Sequence, residues 1–289
     1  MLQLIGQLQN PFSGFSGYLA QWYSMTASAE RLMEAEQFAD DRYEQPLTDS
    51  ECLKLYDEDF VGLRAENLCF TYGDAENDKG AVRSLDFELR KGEFVSLVGH
   101  SGCGKSTLLK LLLCLYKPNS GRLCLLRQTP GDESALTAAY RGLFAYVPQG
   151  NQLMSGTIRQ VVAFDDQEKM DREADLWDAL RIACADEFVA QLPLGLDTPL
   201  GEHGSGLSEG QIQRLAVARA ICSRRPILLL DEATSSLDED TEAALLNNLR
   251  TMTDRTVLII THRPRACAVC DRVVEMAPPS GEEEDMANG

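Results

Sequence analysis

Residues 99–107 read GHSGCGKST and fit the pattern GxxxxGK[ST] through Gly99, Gly104, Lys105 and Ser106. A short apolar run, Phe94–Val98, precedes the loop, and the helical run STLLKLLLCLY follows it. Glycines at these positions let successive backbone N–H groups turn inward around an anion, and the helix directs its positive end at the same point. Ser101, Gly102, Cys103 and Thr107 belong to the same cradle. Lys105 is placed to reach the β- and γ-phosphates of a nucleotide, and Ser106 to offer a hydroxyl to Mg2+. Cys103, beside Lys105 and at a helix N-terminus, is a candidate reactive thiol. A reagent on it is expected to block nucleotide binding, with ATP protecting.

Three further stretches fit the same chemistry. ILLLDE, residues 227–232, is a buried-strand pattern that delivers Asp231 to hold Mg2+ and Glu232 to activate water. Alone it reads equally well as a core strand with a helix-capping acid, and the phosphate loop is what tips the balance. His262 follows the apolar run 257–260, and Gln149 follows another at 143–147. A lone histidine at a strand end is more often structural. Here it is placed to contact a γ-phosphate, and the neutral amide of Gln149 to touch both metal and water.

These residues need a frame that holds loop ends together. Buried-strand candidates at 94–98, 143–147, 227–230 and 257–260 alternate with helical patterns, which implies an α/β fold with a mainly parallel sheet. Before them, VGLRAENLCFTY and SLDFELRKGEFVSLVG read as strands. Residues 171–192 and 208–223 read as helices inserted between core strands. Leu19, Trp22, Met25, Ala29, Leu32 and Met33 recur at helical spacing, with Pro11 and Ser13 at a possible start. The acidic stretch 44–60 reads as a linker, and 277–289 as a disordered acidic tail.

The 289 residues carry a net charge of −18 and show no basic stripe, which argues against a nucleic-acid partner. The acidity is concentrated in the flanks: residues 30–59 hold eleven acidic side chains against three basic ones, whereas residues 1–29 hold no charge. No apolar run reaches the length of a membrane span and no secretory signal pattern occurs. Nine cysteines without a disulfide framework fit a reducing compartment. Cys267 and Cys270 form a CxxC, but neither a second pair nor a histidine stands at zinc spacing.

Taken in order, these motifs resemble the nucleotide-binding domain of an ATP-binding-cassette (ABC) transporter. LSEGQ, residues 207–211, is a one-residue variant of the family signature LSGGQ and sets the chain apart from other P-loop proteins. The resemblance covers about residues 61–276. It implies a P-loop NTPase core with a mainly parallel sheet, an antiparallel β subdomain and an inserted helical subdomain at about 150–223. It implies that Tyr72 stacks on adenine, that Gln149 senses Mg2+ and contacts the membrane domains, that Glu232 is the catalytic carboxylate and His262 the switch histidine. Ser208, Gly210 and Gln211 would present a second anion site to ATP held by a partner copy, and Asp238, in SSLD, would lie at that dimer contact. GEHGSG resembles an exporter-specific loop, with His203 where arginine is common. Residues 1–43 resemble the end of a last transmembrane helix and its cytoplasmic extension.

The expected function is therefore Mg2+-dependent ATP hydrolysis powering export, at the cytoplasmic face of the cell membrane. The expected partners are a second nucleotide-binding domain, as homodimer or heterodimer, and the transmembrane domains of an exporter. Two rivals are a soluble ABC ATPase outside export and an ATP-gated clamp that dimerises without turnover. The uncharged N-terminal segment weighs against the first, and the presence of Glu232 and His262 against the second.

Overall fold

The structure, a computed structural model, describes residues 18, 21–33, 45–72, 81–129, 131–150, 153–201 and 206–276. It divides into two units, 1–44 and 45–289. In the first, residues 21–33 form helix α1, on which Trp22, Tyr23, Met25, Leu32 and Met33 are exposed. Pro11, Ser13 and Leu19 lie outside the described residues, as do His203 and the tail 277–289. Among the described residues no helix is long and apolar enough to cross a membrane.

The second unit opens with helix α2 (Asp49–Glu58), where the acidic sequence had suggested a linker. Thr48 caps it: the hydroxyl accepts from Glu51 N while Glu51 accepts from Thr48 N. Only Cys52 and Tyr56, one turn apart, are buried on it. Two inward residues in ten give too little periodicity to show in a sequence this charged. Tyr56 nevertheless anchors the helix. Its ring stacks on Phe60 at 5.1 Å, and its hydroxyl lies 2.8 Å from Thr256 Oγ1.

Strands β1 (Phe60–Phe70), β2 (Val82–Arg90), β4 (Ser120–Arg127) and β5 (Glu133–Ala135) form an antiparallel sheet in the order β2-β1-β4-β5. The other main sheet is parallel throughout. It is built from β3 (Phe94–Val98), β6 (Phe144–Val147), β9 (Ile227–Asp231), β10 (Thr256–Ile260) and β11 (Arg272–Glu275) in the order β11-β3-β10-β9-β6. Every residue of β9 and β10 is buried. Leu228, Leu230, Val257 and Ile259 turn to one core, and Ile227, Leu229, Leu258 and Ile260 to the other. Burial on both faces explains why these strands read as unbroken apolar runs.

Between β6 and β9 lies the helical lobe: α4 (Ile158–Ala163), α5 (Gln167–Asp171), α6 (Glu173–Ile182), α7 (Asp186–Gln191) and α8 (Glu209–Cys222). A two-stranded clip, β7 (Gly156–Thr157) with β8 (Pro199–Leu200), closes its base. The expected helix at 171–192 is two helices, because Cys184 turns into the left-handed region at φ 55°. α8 is buried on most sides and packs against α4, α6 and β6. Helix α3 (Lys105–Leu112) follows β3; α9 (Glu239–Arg250) and α10 (Pro264–Val269) complete the unit.

If α2 is part of the folded unit rather than a linker, truncating its anchor must be expensive. Tyr56→Ala is expected to destabilise the chain by about 3–5 kcal/mol in urea unfolding, as for other buried aromatics. A loss near zero would return residues 44–60 to the status of a linker.

Candidate functional site

The register of the parallel sheet makes the site. Leu97 of β3 pairs with Ile260 of β10, Ile260 pairs with Asp231 of β9, and Leu230 pairs with Val147 of β6. Four chain ends therefore leave the sheet at one edge: the phosphate loop, the His262 turn, the Asp231–Glu232 pair and the Gln149 turn. The carboxyl edge of a parallel sheet is where α/β folds build binding sites.

The loop between β3 and α3 is closed by its own lysine. Lys105 is 6% exposed, and its ammonium donates to the carbonyls of Gly99 and His100, each at 2.8 Å. Gly104 has φ 97°, and a Cβ there would drive into the carbonyl oxygen of Ala81, so only glycine fits. Cys103 is 3% exposed and lies 3.8 Å from Lys105 Nζ. This corrects its reading as an open reactive thiol: a reagent must first open the loop. Tyr72 sits beside the same loop, its hydroxyl 3.1 Å from Thr107 Oγ1 and its ring edge-on to Phe70 and Tyr116.

Asp231 is buried at 3% exposure and receives a hydroxyl on each oxygen. Ser106 donates to Oδ1 at 3.1 Å and Tyr146 to Oδ2 at 3.3 Å. Burial raises the Asp231 carboxyl above its usual range, and the two hydroxyls work against that shift. Burial, followed by the nearby Asp231 charge, pushes the Tyr146 phenol up, so it stays a donor. Glu232, with φ 51°, is held in the left-handed region, a strained geometry for a side chain of this kind. Its carboxylate accepts from Gln149 Nε2 at 2.7 Å and lies 3.5 Å from His262 Nε2. Gln149, Glu232 and His262, chosen from separate stretches of sequence, thus form one chain of contacts.

The signature stretch lies at the start of α8. Ser208 is the N-cap: its hydroxyl accepts from Gln211 N at 3.3 Å, while Gln211 Oε1 accepts from Ser208 N at 2.8 Å. The Gln211 side chain is therefore committed to the cap, which corrects its reading as a direct ligand. The Ser208 proton remains free to donate. Glu209 is exposed in the first turn, where a negative charge suits the helix dipole. A Cβ at Gly210 would stand 2.9 Å from Ser236 O, so glycine here lets α8 touch the 234–238 loop. Asp238 caps α9 by accepting from Thr241 N at 2.9 Å, a backbone hydrogen bond that lowers its carboxyl.

Some of the residues that set this geometry were not singled out from sequence. Gln213, 5% exposed, donates to Ser235 Oγ at 3.0 Å and accepts from Ser236 N at 3.0 Å. Arg263 donates to Ser235 O at 2.7 Å, to Leu237 O at 2.9 Å and to Glu242 at 3.0 Å. Glu242, 2% exposed, also accepts from Thr234 at 2.6 Å. These side chains tie the loop after Glu232 both to α8 and to the residue following His262. The available clue was a polar side chain in an otherwise apolar buried helix, which needs a partner.

The ABC transporter family profile matches residues 82–235, just over half of the chain. The chain belongs to the ABC transporter family. The ATP-dependent lipid A-core flippase of Chromobacterium violaceum is 43% identical over 217 residues, covering 74% of this chain and 36% of that protein. The flippase of the same name from Ralstonia nicotianae is 34% identical over 278 residues, covering 92% of this chain and 46% of that one. A solved bacterial Atm1-family ABC exporter with ATP bound superposes with a TM-score of 0.73 at 30% identity, covering 92% of this chain and 45% of the exporter. The chain thus spans less than half the length of these relatives. It carries the ATP-binding domain of an ABC protein, with that domain's α/β P-loop fold.

Two outcomes follow from the buried charges of this ABC domain. A carboxyl whose folded pKa is raised stabilises the fold below its unfolded value, and that contribution is lost as pH rises through the folded one. Asp231, raised above 3.8, should therefore cost the nucleotide-free chain stability near neutrality. Asp231→Asn is expected to be more stable than the unaltered chain at pH 7, with the gap closing toward pH 4 in urea unfolding. Separately, Arg263→Ala leaves the Glu242 carboxylate buried without its cation and should cost about 2–3 kcal/mol. Adding Glu242→Gln should restore more than half of that loss, whereas additive losses would contradict the coupling.

Proposed function

We propose that the chain is the ATP-hydrolysing part of an ABC exporter, working as a head-to-tail pair of nucleotide-binding domains with Mg2+. The observation that carries this is the contact chain Gln149–Glu232–His262 set beside the buried Ser106–Asp231 pair.

The residues fit Mg2+. No cluster of three or more metal-binding side chains occurs among the described residues. A hydroxyl and a carboxylate stand 3.1 Å apart at the phosphate loop instead. An all-oxygen pair supplemented by substrate phosphates is how Mg2+ is usually held. Bound there, it would neutralise charge on the β- and γ-phosphates. Lys105, released from the Gly99 and His100 carbonyls, turns its ammonium to the same phosphates. Tyr72, beside the loop, offers its ring to the adenine.

Glu232 accepts the proton of an attacking water, with Gln149 orienting the carboxylate through its amide. His262, exposed on the outer side of Glu232, meets the γ-phosphate. Ser208, with its hydroxyl lone pair used by the cap and its proton free, donates to the γ-phosphate held by the partner copy. The Gly210 amide and the α8 N-terminus reinforce that second anion site. Asp238, on the loop that α8 touches, lies at the contact between copies. A two-fold pair offers both half-sites twice, so each ATP is enclosed by two chains.

The link to a membrane domain is a groove of about 390 Å³ lined by Phe144, Tyr146, Val162, Phe164 and Arg219, among others. It lies against β6, whose end carries Gln149, so a helix seated there would bear on the catalytic contacts. This reading puts the domain at the cytoplasmic face of the membrane; the names of the relatives, flippase and exporter, support its association with a membrane transporter.

Glu232→Gln is expected to keep ATP binding, lose at least roughly 100-fold in phosphate release, and trap a pair in ATP that gel filtration resolves. Turnover within a few-fold of the unaltered chain would overturn the assignment of Glu232 and with it the mechanism.

A further inference from the structure

We propose that Tyr146 is a positioning residue for the divalent cation: its hydroxyl fixes one oxygen of Asp231 so that the other faces Ser106. The inference deepens the Mg2+-dependent reading above and rests on it.

The sheet aims this side chain. Tyr146 of β6 pairs with Leu229 of β9, and side chains two residues apart along a strand share a face. Tyr146, Leu229 and Asp231 therefore project to the same side, with Asp231 on the diagonal beyond the paired position. A tyrosine is long enough to cover that diagonal, and its hydroxyl reaches Asp231 Oδ2 at 3.3 Å. The ring lies against the apolar core and lines the groove along β6, with its hydroxyl turned to Asp231.

The two hydroxyls on Asp231 are not equivalent. Ser106 shares Oδ1 and is itself a ligand candidate, so a cation taken up between them competes with that hydrogen bond. The Tyr146 hydrogen bond lies on the other oxygen and is outside that competition. It is the contact that keeps the carboxylate plane fixed once the cation arrives. A neutral donor suits this task better than a lysine or arginine, which would satisfy the buried charge and weaken the cation's hold on it. Hydrogen bonds from outside the coordination shell orient ligands in this way and tune the metal they bind.

The test compares the unaltered chain with Tyr146→Phe, which keeps the ring and removes one oxygen. Mn2+ is titrated into each chain with a non-hydrolysable ATP analogue and followed by electron paramagnetic resonance. Binding of the same analogue in EDTA is measured alongside. The expected result is Mn2+ affinity roughly tenfold weaker in Tyr146→Phe, with an altered resonance line shape and unchanged analogue affinity in EDTA. Equal Mn2+ affinity in the two chains overturns the inference alone. Loss of analogue binding in EDTA also overturns it, because that is the mark of a loop-wide structural role. An unaltered chain that takes up no Mn2+ with the analogue overturns the Mg2+-dependent reading itself, and the inference with it.

Discussion

A parallel sheet ends each of its strands at the same edge, and the site described above depends on that constraint. Neither the phosphate loop nor the Asp231–Glu232 pair is adjacent to the other in sequence; 125 residues separate Ser106 from Asp231. They meet because β10 lies between β3 and β9 in register, with Leu97, Ile260 and Asp231 in line. The apolar residues on both faces of β9 and β10 hold that register. A one-residue slip would exchange the two buried faces and carry Asp231 to the wrong side of the sheet.

Register alone places chain ends, not loops. The segment after Glu232 is fixed by buried polar groups, each answering another. Gln213 reaches it from α8, Arg263 from the turn that carries His262, and Thr234 and Glu242 close the network from within. Arg263 follows His262 directly, so the histidine turn is tied through its guanidinium to the carbonyls of Ser235 and Leu237. Those carbonyls lie in the loop that ends at Asp238. The network thus joins the chemistry at Glu232 to the surface proposed to meet the partner copy.

The parts legible in sequence are those with local rules. The loop GHSGCGKST, the apolar run before Asp231 and the Ser208 cap each declare themselves within a few residues. Helix α2 did not, because its two inward residues, Cys52 and Tyr56, are hidden among acidic ones and its anchor, Thr256, is 200 positions away. Tyr146, Gln213 and Arg263 were missed for a related reason. Their partners are set by strand order and helix packing, which no short window contains. Cys103 and Gln211 were legible as members of the right motifs but not in their contacts. One is covered by the closed loop, and the amide side chain of the other is taken by the cap.

The same edge of the sheet gathers arrangements that work against stability. Asp231 keeps a carboxylate out of water, Lys105 has two carbonyls and the Cys103 sulfur for partners, and Glu232 sits in a backbone region that costs about 1–2 kcal/mol for a residue with a Cβ. None of these improves the empty fold. On the proposed reading two of them gain a partner from the ligand: the lysine would meet phosphates and Asp231 a positive charge, while the backbone of Glu232 keeps its cost so that the carboxylate stays aimed at the site. Differential interaction of this kind is what allows a ligand to shift a conformational equilibrium. The apolar register of β9 and β10 supplies the stability against which that strain is held. On that reading nucleotide would complete a site that the sheet has already assembled at a cost to the empty fold.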